Sequence, residues 1–103
     1  MTQKELYQVL KNTGIPVAYH HFSSPQCPPY IVYFRENTEN IGADNAVWHK
    51  VENYIIELYT QKKDLVLEQR LESVFDQNKI FYDVYESWIE EEKVFKVSCE
   101  IQI

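Results

Sequence analysis

Few groups in this chain could do chemistry. They are His20, His21 and His49, the thiols Cys27 and Cys99, and the carboxylate run Glu90, Glu91 and Glu92. Zinc needs three or four converging ligands, and neither C-x-x-C nor H-x-x-x-H spacing is present. On a strand, His20 and His21 would point to opposite faces, so they could not share an ion without a bend, even with His49 as a third partner. A nucleophile at Cys27 would need a base and an oxyanion hole. Cys27 instead lies among Pro25, Pro28 and Pro29, and prolines supply no N–H. The three glutamates read as a solvated turn whose like charges discourage sticking between sheet edges. Lys62 and Lys63 are too few for a phosphate groove. Tyr30, Tyr33 and Phe34 lack the positive charge that accompanies base-stacking platforms. The sequence therefore offers no catalytic, cofactor-binding or metal-binding residues, and the chemistry left is recognition. A deep pocket joining His20 or His49 to a carboxylate would point instead to a small enzyme.

The bulk properties agree. A chain of 103 residues is one domain, residues 1–103, with room for a single modest core. With 45% hydrophobic and 25% charged residues, it has the balance of a globular fold rather than a disordered one. The net charge of −6 sets it against the phosphate backbone, so specific nucleic-acid binding is not expected. Two cysteines are fewer than a small secreted disulfide scaffold uses, and both read as free thiols in a reducing compartment. No apolar signal-like run follows Met1 and no segment approaches membrane-spanning length, so no membrane partner is expected. The expected location is the inside of a cell, unless the protein leaves it in a larger particle.

The elements that position these residues follow from periodicity. Thr2 with Glu5 forms a capping box, and Leu6, Val9 and Leu10 make one apolar stripe, which predicts a helix over about 2–12 ended by Gly14 and Pro16. Val17 to Phe22 reads as a first strand. A proline-rich loop leads to a second strand, Tyr30 to Arg35. The polar stretch Glu36 to Ala46 reads as a protruding arm or long hairpin tip that orders on binding. The third strand, Val47 to Thr60, carries Tyr54, Ile56 and Leu58 on one face, while Ile55 and Tyr59 break the polar pattern of the other. Asp64 caps a second helix with a stripe of Leu67, Leu71, Val74 and Phe75, stopping near Asn78. Ile80 to Ile89 forms a fourth strand, with Ile80, Tyr82, Val84 and Trp88 on one face. Lys93 to Ile103 alternates most clearly, with Phe95, Val97, Cys99, Ile101 and Ile103 inward. The order α-β-β-β-α-β-β predicts an α+β domain: a mostly antiparallel sheet of four to five strands with two helices on one or both faces. Trp48, at the base of the arm, and Trp88, near the acidic turn, are each a core cover or an interface anchor.

Across nearly its whole length the chain resembles a family of small proteins encoded by tailed phages and prophages, mainly those of Gram-positive bacteria. The segments that carry the likeness are KELYQVLKNTGIPVAYHHF, PPYIVYF, GADNAVWHKVENYIIELYT, KKDLVLEQRLESVF and KVFKVSCEIQI. The family is similar to tail-terminator and head-to-tail joining (tail-completion) proteins. The resemblance implies a non-enzymatic α+β subunit that caps the tail tube or joins tail to head, commonly as a hexameric ring; a monomer is expected when free, its arm ordering on binding. The implied partners are copies of itself, the tail tube and the head connector. The implied location is the cytoplasm of the bacterial host during assembly and then the tail or neck of the virion. The arm and the acidic turn become candidate contacts, represented by Asn40, Ile41, Asp44, Trp48, Trp88, Glu90, Glu91 and Glu92. The competing reading is a small prophage-encoded regulatory or inhibitory module that binds one partner through its aromatic sheet.

Overall fold

The computed structural model describes the backbone of residues 1–43 and 46–103, and the side chains of residues 1–38 and 51–103. The elements run α1 (Gln3–Lys11), β1 (Val17–Tyr19), β2 (Tyr30–Ala43), β3 (Ala46–Thr60), α2 (Leu65–Gln77), β4 (Tyr82–Ile89) and β5 (Val94–Gln102). This is the expected α+β order. The strands form one five-stranded sheet in the order β1-β2-β3-β5-β4. The β1–β2 contact is parallel and the others are antiparallel.

Local chemistry explains the helix ends. The Thr2 hydroxyl accepts from the Glu5 N–H at 3.1 Å, and the Glu5 carboxylate accepts from the Thr2 N–H at 3.0 Å, satisfying two donors that a helix start leaves open. At the other end, the Thr13 hydroxyl donates to the Leu10 carbonyl at 2.7 Å and accepts from the Ile15 N–H at 3.2 Å. Gly14 then turns the chain at φ +78°, a left-handed conformation that glycine adopts without strain. In α2, Asp64 accepts from the Leu67 N–H at 3.1 Å, and Asn78 donates to the Val74 carbonyl at 2.7 Å. Arg70 of α2 donates to the Thr13 carbonyl at 3.2 Å and so ties the second helix to the end of the first.

Both helices cover the same face of the sheet. Directly opposed residues of neighbouring strands share a face, and the register sets Ile31 against Leu58, Tyr33 against Ile56, Leu58 against Val97 and Ile56 against Cys99. These residues form one buried cluster with Leu6, Val9 and Leu10 of α1 and Leu71, Val74 and Phe75 of α2. Of the expected inward set of β5, Val97, Cys99 and Ile101 are buried, and Phe95 and Ile103 are partly buried.

The structure corrects the sequence reading at two places. The first strand is shorter than Val17–Phe22, because His20 takes φ +68° and the His21 N–H closes a tight turn onto the Tyr19 carbonyl at 2.7 Å. His20 and His21 are thus off the strand and do not diverge; their Nδ1 atoms lie 3.2 Å apart. For the polar segment, the hairpin alternative holds and the second strand is longer than Tyr30–Arg35. β2 continues to Ala43 and β3 begins at Ala46, paired with one extra residue, Glu36, inserted between the Arg35 and Asn37 pairs. Backbone pairing needs no apolar side chain, so a ladder can run on past the core. The last backbone bonds between β3 and the C-terminal strand are those Glu52 exchanges with Ile103 at 3.0 and 3.1 Å, so the hairpin projects beyond the body, and the molecule measures 51 Å along its long axis.

Candidate functional site

The interface candidates fall into two groups at opposite ends of the sheet. Thr60 pairs with Phe95 and Asn53 with Gln102, so the β4–β5 turn lies beyond one end of β3 and the hairpin tip beyond the other. From Ala46 to Thr60 at about 3.3 Å per residue is roughly 46 Å, close to the 51 Å long axis.

At the hairpin end, Asn40 lies in β2 opposite Lys50, and Ile41 opposite His49. Trp48 falls at a second register irregularity, between the Ile41–His49 and Gly42–Val47 pairs. The side chains of Asn40, Ile41, Trp48 and His49 lie outside the described residues, as does Asp44 altogether.

At the turn end the geometry is explicit. Lys93, at φ +58°, closes the turn. Its ammonium and the Trp88 indole N–H both donate to the Glu90 carboxylate, the latter at 2.6 Å. These two donors, Lys93 first, hold the Glu90 carboxyl below the usual carboxylate range. Trp88 packs edge-on against Phe95 with ring centroids 4.8 Å apart and is half exposed. The indole is therefore oriented by its own hairpin yet presented to solvent, a combination that lowers the entropic cost of making it a contact. Glu91 and Glu92 are exposed.

Sequence reasoning missed a cleft of about 440 Å³ on the sheet face without helices. His20, His21 and Phe22 form one wall, and Tyr30, Glu57, Tyr59 and Glu92 lie across from them. Tyr30 and Tyr59 are opposed in register and stack at 4.9 Å, and Phe22 meets Tyr30 edge-on at 5.5 Å. The signal was Tyr59, which interrupts the polar alternation of β3. Burial, and then the charge of Glu57, raise the Tyr59 phenol well above its ordinary value, so it keeps its proton and donates a hydrogen bond to Glu57 at 3.1 Å. Lys96 lies 3.5 Å from the same carboxylate. In this cleft the two histidines contact each other, Glu57 is engaged by Tyr59 and Lys96, and Glu92 is exposed. Among the described residues no cluster of three or more His, Cys, Asp or Glu could hold a metal. Nor is any helix there long and apolar enough to cross a membrane.

The cysteines behave differently from each other. Cys27 is exposed and Cys99 is buried. Burial pushes the Cys99 thiol up to about 12, so it is an inert core group.

No family model matches the chain, and no curated protein does. Among solved structures, it is similar to a chain of one described as the virion of a native gene transfer agent particle. The superposition has a TM-score of 0.69 and 11% sequence identity, and covers 94% of this chain and 88% of that one. The likeness is one of fold.

Proposed function

We propose that this protein is a non-enzymatic subunit of a phage-like virion, which caps the tail tube or joins tail to head by assembling into a ring. The observation that carries the reading is the fold likeness to a virion chain, which extends over nearly all of both molecules. The sequence resemblance to tail-terminator and tail-completion proteins points the same way. The shape supports it as well. A ring requires two different patches on each subunit, one meeting the other on the next copy. The elongated sheet offers such a pair: the projecting hairpin with Asn40, Ile41 and Trp48, and the turn with Trp88, Glu90, Glu91 and Glu92 at the far end. On this reading the neighbours are copies of the chain, the tail tube and the head connector.

Electron microscopy of particles made with and without the gene tests the proposal. Overlong tails in its absence indicate a terminator. Tails of normal length that fail to join heads indicate a connector. Normal, complete particles without the protein would refute both roles.

A further inference from the structure

His20 and His21 meet in a way that neighbouring residues of a strand cannot. His20 takes φ +68°, a conformation uncommon outside glycine that persists only where its surroundings hold it. Here they do. The His20 N–H donates to the Tyr33 carbonyl at 2.8 Å and the His21 N–H to the Tyr19 carbonyl at 2.7 Å. The His20 ring also packs edge-on against Phe34, with centroids 6.1 Å apart. The turn brings the two imidazoles together, with their planes at 89° and their Nδ1 atoms 3.2 Å apart. Backbone strain of this kind gathers at ligand clamps.

We infer that His20 and His21 form a two-nitrogen site for a zinc-type divalent ion, bound through both Nδ1 atoms on the wall of the aromatic cleft. The spacing carries the inference. Imidazole nitrogen binds zinc at about 2.0–2.1 Å. Nitrogens 3.2 Å apart then subtend about 103° at a shared ion, close to the tetrahedral angle of zinc. A square-planar ion, which wants right angles, would need them about 2.9 Å apart. In the neutral pair one Nδ1 donates a hydrogen bond to the other. On binding, the donor ring shifts that proton to its own Nε2, so both Nδ1 lone pairs face the ion and no proton is released. The cleft favours a cation: burial first, then the charges of Glu92 and Glu57, hold the Tyr30 phenol above its ordinary value, so the field of both carboxylates reaches across it. Water fills the remaining coordination positions, which leaves the site open and its affinity modest. The inference stands apart from the virion reading, and departs from the expectation that these two histidines could not share an ion.

The test uses the untagged full chain and zinc ion alone. Calorimetric titration should show a single ion taken up per chain. Long-range proton–nitrogen spectra should show the Nδ1 signals of His20 and His21 moving with zinc while those of His49 stay in place. His20→Asn keeps a side chain that tolerates the left-handed region. That variant and His21→Gln should each weaken binding at least about tenfold with an unchanged circular dichroism spectrum, whereas His49→Gln should leave it intact. Magnesium at roughly tenfold excess should not displace the zinc, because it prefers oxygen ligands. The inference is overturned by a chain that takes up no zinc at about 1 mM, by binding that survives both substitutions, or by displacement with magnesium, which would place the ion on carboxylates.

Discussion

Lys63 reaches Glu86 across 2.9 Å, so the segment before α2 is tied to the middle of the edge strand β4. The same ammonium lies 2.8 Å from Glu68 in the first turn of α2. Both partners raise the Lys63 amine above its usual 10.5, the Glu68 hydrogen bond most. A raised amine stabilises the fold fully below its ordinary value and loses that contribution as pH climbs past it. Lys63→Met should therefore lower stability by about 1 kcal/mol or less, as for other exposed pairs. Thermal melts should show the difference at neutral pH in low salt, and it should shrink in high salt and above pH 10.5.

Cys99 gives a second alkaline signature. Its folded value of about 12 against an ordinary 9.0 means that the unfolded chain releases this proton first. Stability should fall as pH rises through that window, and Cys99→Ala should flatten part of the fall. Thiol labelling at neutral pH should modify Cys27 alone in the folded protein and both cysteines after denaturation.

The turn end titrates on the acid side. The Glu90 carboxyl sits below its usual 4.5, held by Lys93 and Trp88. Its contribution is present above that value and disappears as pH falls through the lowered one. In a Trp48→Phe background, Trp88 fluorescence should be steady from neutral pH to about 4.5 and shift below it. Glu90→Gln should show the low-pH spectrum throughout.

Gly14 should test backbone strain alone. An added Cβ there would meet open space, so Gly14→Ala has no packing term. The left-handed conformation should still cost about 1–2 kcal/mol by denaturant unfolding, and Gly14→Asn should cost less. By contrast Leu58→Ala, at a fully buried site, should cost about 2–5 kcal/mol.

The hairpin should be dispensable for folding and needed for assembly. Asn37 pairs with Asn53, where β5 also joins β3. Replacing residues 39–51 with a two-residue Asn-Gly turn, which keeps the Thr38–Glu52 pair and the Glu52–Ile103 bonds, should leave a cooperative domain with its melting midpoint within a few degrees of the original, as the core lies elsewhere. On the virion reading, that variant should fail to complement particle assembly.

Elements held by apolar periodicity or capping were legible in the sequence. Thr2 with Glu5 marked α1 within a residue, and Val97, Cys99 and Ile101 announced the inward face of β5. Elements held by backbone pairing or by unusual dihedrals were not. Little in Glu36–Ala43 beyond Thr38 and Ile41 favours a strand by composition, yet the ladder continues there past the extra residue Glu36. The left-handed turn at His20 leaves no compositional trace, so the strand was read three residues too long and the two histidines were placed apart. Position in the sheet was hidden as well. Phe81, Val84 and Tyr85 look like core residues in one dimension and are exposed because β4 is outermost. The cleft under Phe22 depends on which residues Tyr30 and Tyr59 oppose, which no local pattern states.

Past Glu52 the hairpin is a ribbon only two strands wide, joined to the body beside the extra residue Glu36. Mechanically it is a lever of roughly 20 Å, at about 3.3 Å per residue, whose pivot lies outside the core. A load that tilts it by about 15° would sweep its far end through roughly 5 Å by that length while Ile31, Ile56 and Cys99 keep their places. Small adjustments of fit at a distant contact then cost the domain none of its packing.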